Sequence, residues 1–316
     1  MKNADKFELH YYFGDASHDI DALVRNKCEA ELLGIIFEAG KLLEIDVRII
    51  KDAYEEGGFR DIWKALGSSQ VMALLIILQI IISAAPVLDL ENKRLEKEER
   101  KLSIEEKKLN IEKMKHELEK DGKAGNLAQA AESVGENLKV IKRRSNFYSC
   151  LQDYPKVEKI GFVVLDEDLQ PVNDESTVVR SEFSRYILNT NRLKSELDES
   201  AEIEIISPVI TEGPYKWKGL YKGKPIGFDM LDQIFRDAVL VENLPFQHGC
   251  KIVCVLVVSK ELDEIGEIRI TGYSVSTVLN KIDGPTSVET LQGKRYRHAK
   301  RMSESQTDLF QQGAAS

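Results

Sequence analysis

The residues best equipped for chemistry are few and scattered. His18 stands among Asp15, Asp19 and Asp21, a grouping that could hold a metal ion or exchange a proton. A helix begins here, with Asp15, Ser17 and Asp19 as candidate N-caps whose short side chains can accept bonds from the first free amides, and the acids are expected to complement the helix dipole instead. Of this group, His18 and Asp21, three residues apart, could share a helix face. Glu55-Glu56-Gly57-Gly58 reads as a turn with solvated acids rather than as a ligand loop. His248, in the run FQHGC, has no partnered Ser or Cys motif and is expected in an exposed loop. Cys28, Cys150, Cys250 and Cys254 include no CxxC pair and are expected to be reduced thiols acting as small apolar residues, with Cys250 and Cys254 on one strand face. No P-loop, GxGxxG after a strand, HExxH or EF-hand pattern occurs. No catalytic residue is assigned, no metal or cofactor is expected, and the chain reads as an interaction protein rather than an enzyme.

The end of the chain carries a different chemistry. Lys294, Arg295, Arg297, Lys300 and Arg301 surround Tyr296 and His298 with no acid among them. This basic patch is the one place where nucleic acid is expected, because the formal charge of −9 argues against binding it wholesale. A second cluster, Lys139, Lys142, Arg143 and Arg144, is expected to be the solvated face of a helix rather than a lipid or nucleic-acid site. Beyond the patch, Gln306-Thr307-Asp308-Leu309-Phe310 resembles the short peptide by which bacterial replication and repair proteins bind the DNA sliding clamp. That family of peptides has Gln first, Ser or Asp third, then Leu-Phe; this chain departs at Thr307, where Leu is commoner, which weakens the expected affinity. The resemblance covers five residues. It implies a clamp partner contacted by Gln306, Asp308, Leu309 and Phe310, with Leu309 and Phe310 as apolar anchors and Gln306 orienting the peptide by a hydrogen bond.

The elements that must position these groups are organised around one stretch. Val71 to Leu88 holds no charge and is interrupted by Gln79, Ser83 and Pro86 alone. Gly67 to Leu88, at about 1.5 Å per residue, is long enough to cross a bilayer's hydrocarbon core, and its apolar character all round predicts a transmembrane helix. Lys93, Arg94, Lys97, Arg100 and Lys101 outnumber Lys51, Arg60 and Lys64, so the C-terminal side is expected to face the cytoplasm of a bacterial inner membrane in a single-pass arrangement. The alternative is a soluble oligomer whose subunits pool these helices. Residues 1 to 15 lack the apolar core of a signal peptide, which favours that alternative.

The expected fold class is α+β. Residues 1–66 read as a small β-α-β unit: a strand from Phe7 to Phe13, an amphipathic helix to about Glu44, and a strand from Ile45 to Lys51, the strands parallel and the unit packed on a copy of itself or another partner. Phe59 to Leu66 reads as a short helical piece. Residues 67–88 are the apolar helix, and 89–121 a charged coiled-coil-like helix with seven-spaced rows Leu95, Leu102, Leu109 and Ile104, Ile111, Leu118. Residues 122–136 read as a linker, 137–292 as an α+β domain with an antiparallel sheet and a hairpin turning at Lys222-Gly223-Lys224, and 293–316 as a disordered basic tail. The whole is expected to be a membrane-anchored, oligomeric interaction or sensor protein linked to the replication clamp or to phage defence. A soluble ligand-responsive or nucleic-acid-processing assembly, with the apolar helices as its core, is the competing expectation.

Overall fold

A computed structural model describes residues 4–15, 19–51, 60–67, 70–83, 124–241 and 244–313. His18, the Glu55–Gly58 turn and the charged stretch 89–121 lie outside the described residues. The chain forms two compact units: residues 1–192 with 262–268, and residues 193–261 with 269–316.

The first unit is a five-stranded sheet backed by helices. Its elements are β1 (Ala4–Phe13), α1 (Ala22–Leu43), β2 (Val47–Lys51), β3 (Arg60–Gly67), α2 (Val71–Ser83), α3 (Ala124–Gly135), α4 (Leu138–Gln152), β4 (Val157–Asp166), β5 (Ser176–Val179) and a 3₁₀ helix (Arg180–Tyr186). The strand order is β2-β3-β1-β4-β5, and every neighbouring pair is antiparallel. Strand period places Phe7, Leu9 and Tyr11 on the buried face of β1. Asp21 caps α1 by accepting from the amides of Leu23 and Val24, and Asn137 caps α4 through Lys139 and Val140.

Several expectations are corrected here. β1 and β2 are not a parallel pair: β3 lies between them, antiparallel to both. Residues 60–67 form that strand rather than a helical piece, because Asp61, Trp63 and Ala65 face the core with a period of two. The Trp63 ring is buried 6.0 Å from that of Phe7, and its Nε1 donates to Glu29. The partner expected for the N-terminal unit comes from the same chain, because β4 pairs along the full length of β1. Residues 124–135 are a helix rather than a linker.

The largest correction concerns the apolar stretch. Among the described residues no helix is long and apolar enough to cross a membrane. α2 spans thirteen residues, none exposed, and packs on β1, β3, β4 and β5 and against α1 and α3. Gln79, 3% exposed, fixes it there. Its amide nitrogen donates to the carbonyls of Phe162 (3.1 Å) and Asp174 (2.9 Å) and contacts the Ser176 hydroxyl at 2.9 Å, while its oxygen accepts from Asn173. The last carbonyls of α2, which have no partner within the helix, accept from side chains instead: Ile81 from Arg144 (2.8 Å), Ile82 from the Tyr148 hydroxyl (2.7 Å), and Ser83 from the Tyr186 hydroxyl (2.7 Å). Arg144 is therefore a buried helix cap and not part of a solvated basic face. Burial pulls its pKa down to about 10, which leaves it charged at neutral pH beside the negative end of the helix.

The second unit is a barrel with its own core. It comprises β6 (Arg192–Ser207), β7 (Trp217–Tyr221), β8 (Lys224–Met230), α5 (Gln233–Leu240), β9 (Lys251–Leu262), β10 (Ile268–Asp283), β11 (Thr286–Glu289) and α6 (Leu291–Gly313). The order is β11-β10-β8-β7-β6-β9, and β9 also pairs with β10, so β6, β7, β8, β10 and β9 close on themselves. The sheet is not wholly antiparallel: β8 and β10 run parallel, with Ser274 opposite Asp229. Trp217, Phe228, Ile252, Cys254, Leu256 and Val278 fill the interior. The hairpin turns at Lys222-Gly223, both with positive φ (50° and 75°), the geometry that a two-residue hairpin loop requires.

Candidate functional site

The barrel presents the best-defined polar surface. In β7 the buried Trp217 and Gly219 alternate with the exposed Lys218, and strand register sets Lys218 opposite Gly227 of β8. Leu220 lies opposite Pro225, and Lys224 begins β8. The outward face of this hairpin is thus low and flat, edged by lysines. Among the described residues Lys218 and Lys224 have no ion-pair partner, whereas Lys216 lies 3.4 Å from Asp229 and Lys222 lies 3.2 Å from Asp198. Tyr215, 61% exposed, stands just ahead of β7.

α6 gathers the C-terminal basic patch and divides it. The helix begins inside the fold, with Thr290 Oγ1 accepting from the Gly293 amide at 2.9 Å. Gly293 packs so closely on β10 that a Cβ would lie 2.4 Å from the Leu279 carbonyl oxygen. Arg297 pairs with Glu289, Lys300 pairs with Glu199, and Tyr296 hydrogen bonds to Glu199, which is held below its ordinary pKa first by Lys300. These residues dock the helix. Lys294, Arg295, His298 and Arg301 instead line, with Glu289, an open concavity of about 570 Å³. The docking point adjoins the hairpin: Glu199 follows Asp198, the residue that holds Lys222 at the β7–β8 turn. Residues 293–313, expected to be disordered, have a helical backbone, and Gln306, Asp308, Leu309 and Phe310 fall on its last turns. Their side chains lie outside the described set.

The other groups singled out in the sequence resolve into structural roles. Asp19 and Asp15 pair with Lys156 at 3.0 and 3.9 Å, and Asp21 is the α1 cap. His248 is exposed, beside Gly249 at φ 76°. Lys139 pairs with Glu267 and Glu38, Arg143 with Glu31, and Lys142 donates to Asn191. Cys250 and Cys254 are both buried in the barrel, and burial pushes their thiols up to about 11 and about 12. Among the described residues no group of His, Cys, Asp and Glu is placed to hold a metal ion.

Two features had no sequence signal. Asp61, fully buried, accepts from Arg25 Nε (3.0 and 3.2 Å) and pairs with Lys51 at 3.0 Å, a network that residues 25, 51 and 61 reveal only once β3 lies beside β1. Cys28 of α1 and Cys150 of α4 come together where these helices pack, the Cys150 thiol lying 3.7 Å from the Val24 carbonyl, one turn ahead of Cys28. No family model matches the chain, and no curated protein or solved structure matches it either.

Proposed function

We propose that this protein binds single-stranded nucleic acid through the exposed β7–β8 face of its barrel and the basic concavity along α6, and that it does so without catalysis. The observation that carries the reading is Lys218 on the flat outward hairpin face, with Lys224 exposed at the turn end of the same hairpin and the exposed Tyr215 just ahead of β7. Lysines neutralise phosphates, and an exposed aromatic ring can stack a base of any sequence. The topology supports it. A five-stranded barrel closed in the order β6-β7-β8-β10-β9, with a helix between its third and fourth strands, has the arrangement of the OB-fold, whose second and third strands and neighbouring loops bind oligonucleotides. The net charge of −9 is no obstacle, because the contact is local and the nearby acids Asp229, Asp198 and Glu199 are paired with Lys216, Lys222 and Lys300.

The test is fluorescence anisotropy of the full chain with labelled single strands and duplexes across a salt series. Lys218→Glu with Lys224→Glu is expected to weaken single-strand binding at least tenfold and to flatten the salt slope by about 1.4, since each lost phosphate contact removes about 0.7. Tyr215→Ala is expected to cost about 1–3 kcal/mol in affinity. Equal affinity of wild type and the double variant, or no binding at low salt, would sink the reading.

The clamp-like run supports a second partner at the far end of the same helix. A nucleic-acid module tethered to the sliding clamp would act where single strands arise. On a helix Leu309 and Phe310 stand about 100° apart, so engagement as an extended peptide unwinds the last turns of α6. Clamp binding by the full chain is expected to fall at least tenfold with Leu309→Ala and Phe310→Ala; unchanged affinity removes the clamp from the account.

A further inference from the structure

We infer that Cys150 is an oxidation site and Cys28 its resolving partner: a hydroperoxide converts the pair into a disulfide that ties α1 to α4. The two helices pack antiparallel. At one end the Cys150 thiol lies 3.7 Å from the Val24 carbonyl, one turn ahead of Cys28; at the other, Glu31 accepts from Arg143 at 3.3 Å and from Asn146 at 3.1 Å. The Val24 carbonyl is the one the α1 ladder assigns to the Cys28 amide, so this register sets Cys150 beside Cys28. Neither is in a disulfide.

The two sulfurs are unequal in the way the chemistry needs. Cys28 is fully buried. Cys150 is half-buried and opens onto a cleft of about 310 Å³ lined by Val24, Lys27, Asn146, Ser149 and Asp153. The hydrogen bond from Cys28 favours the Cys150 thiolate, and the nearby Lys27 adds to it, so Cys150 titrates below an ordinary thiol despite partial burial. Donation to Cys150 and burial keep Cys28 protonated. The barrel thiols Cys250 and Cys254 have neither the access nor the lowered value.

The reaction proceeds in two steps. The Cys150 thiolate attacks one peroxide oxygen; an S–O bond forms, the O–O bond breaks, and the departing hydroxide (or alkoxide) takes a proton, leaving sulfenic acid. The Cys28 sulfur then attacks the sulfenic sulfur; the S–S bond forms, the S–O bond breaks, and hydroxide leaves with the Cys28 proton as water. Two thiols lose two electrons and two protons, and one hydroperoxide is reduced.

The full chain, reduced and then freed of reductant, is treated with hydrogen peroxide, alkylated and mapped by mass. Expected is one linked peptide pair containing Cys28 and Cys150, two hydrogens lighter than the reduced peptides and reversed by dithiothreitol, with Cys250 and Cys254 alkylated. Cys28→Ser should accumulate sulfenic acid at Cys150, trapped by dimedone, and Cys150→Ser should leave Cys28 unoxidised. Wild-type Cys28 and Cys150 alkylated as fully as the barrel thiols, linkage to Cys250 or Cys254, or oxidation of Cys28 in Cys150→Ser overturns the assignment. Should Cys28→Ser fail to fold, the wild-type map and Cys150→Ser, at a half-buried position, decide the question.

Discussion

Asp198 shows how one carboxylate joins two parts of the barrel. It accepts from the Tyr221 hydroxyl at 2.6 Å, lies 3.2 Å from the Lys222 ammonium and accepts from the Ser200 amide at 3.3 Å. Partial burial pulls its pKa up, but these three donors together outweigh burial and hold it below the ordinary 3.8. A carboxylate lowered on folding adds stability that is complete above its unfolded pKa and is lost as pH falls through the folded value. The stability difference between wild type and Asp198→Asn is therefore expected to be constant from neutral pH to about pH 5 and to shrink below about pH 4. Urea unfolding at a series of pH values, followed by fluorescence, checks this; a difference as large at pH 2 as at pH 7 would show that the ionised contact contributes nothing. Asp61 behaves oppositely. Burial is the larger influence there and raises its pKa even against Arg25, as expected where desolvation competes with a buried ion pair.

At the scale of the element, α2 is the instructive case. Its side chains are as apolar as those of a membrane span, yet its one interior amide and its last three carbonyls all find protein partners. Gln79→Leu makes the helix still more apolar, which would favour it in lipid. Inside the protein the same change removes the donor to the Phe162 and Asp174 carbonyls and leaves Asn173 without its acceptor. Groups left unsatisfied in this way cost about 1–3 kcal/mol each, so Gln79→Leu is expected to destabilise the first unit by at least that amount. α6 makes the complementary point. Its basic residues form two faces, one spent on Glu199 and Glu289 and the other left lining a concavity.

The whole molecule has two separate cores, one around α2 and the five-stranded sheet, the other inside the barrel. The chain's two tryptophans divide between them: Trp63 lies in the first and Trp217 in the second. This allows the effect of Gln79→Leu to be located. In a Trp217→Phe background the unfolding midpoint reported by Trp63 is expected to fall, while in a Trp63→Phe background the midpoint reported by Trp217 is expected to change little. Equal shifts at both reporters would mean that the two cores unfold as one. The proposed activities divide in the same way, with nucleic acid on the barrel unit and peroxide chemistry on the sheet unit.

Local signals carried far along this chain. Threes and fours of apolar spacing identify α1, whose cap is Asp21 rather than the candidates Asp15, Ser17 and Asp19, and Lys222-Gly223 marks a hairpin turn. A run of aromatics from Phe7 to Phe13 identifies β1. What these signals leave open is every pairing between distant segments. β1 and β4 are neighbours although the helices α1 to α4 and the strands β2 and β3 separate them in sequence, and Cys150 reaches the Val24 turn of α1, beside Cys28, across much of the same interval. Hydropathy states that residues 71–83 must leave water, but apolar side chains gain almost as much from lipid as from a packed core. Only the tertiary arrangement, with acceptors waiting for Gln79 and donors for the carbonyls of Ile81, Ile82 and Ser83, decides that protein surrounds this helix.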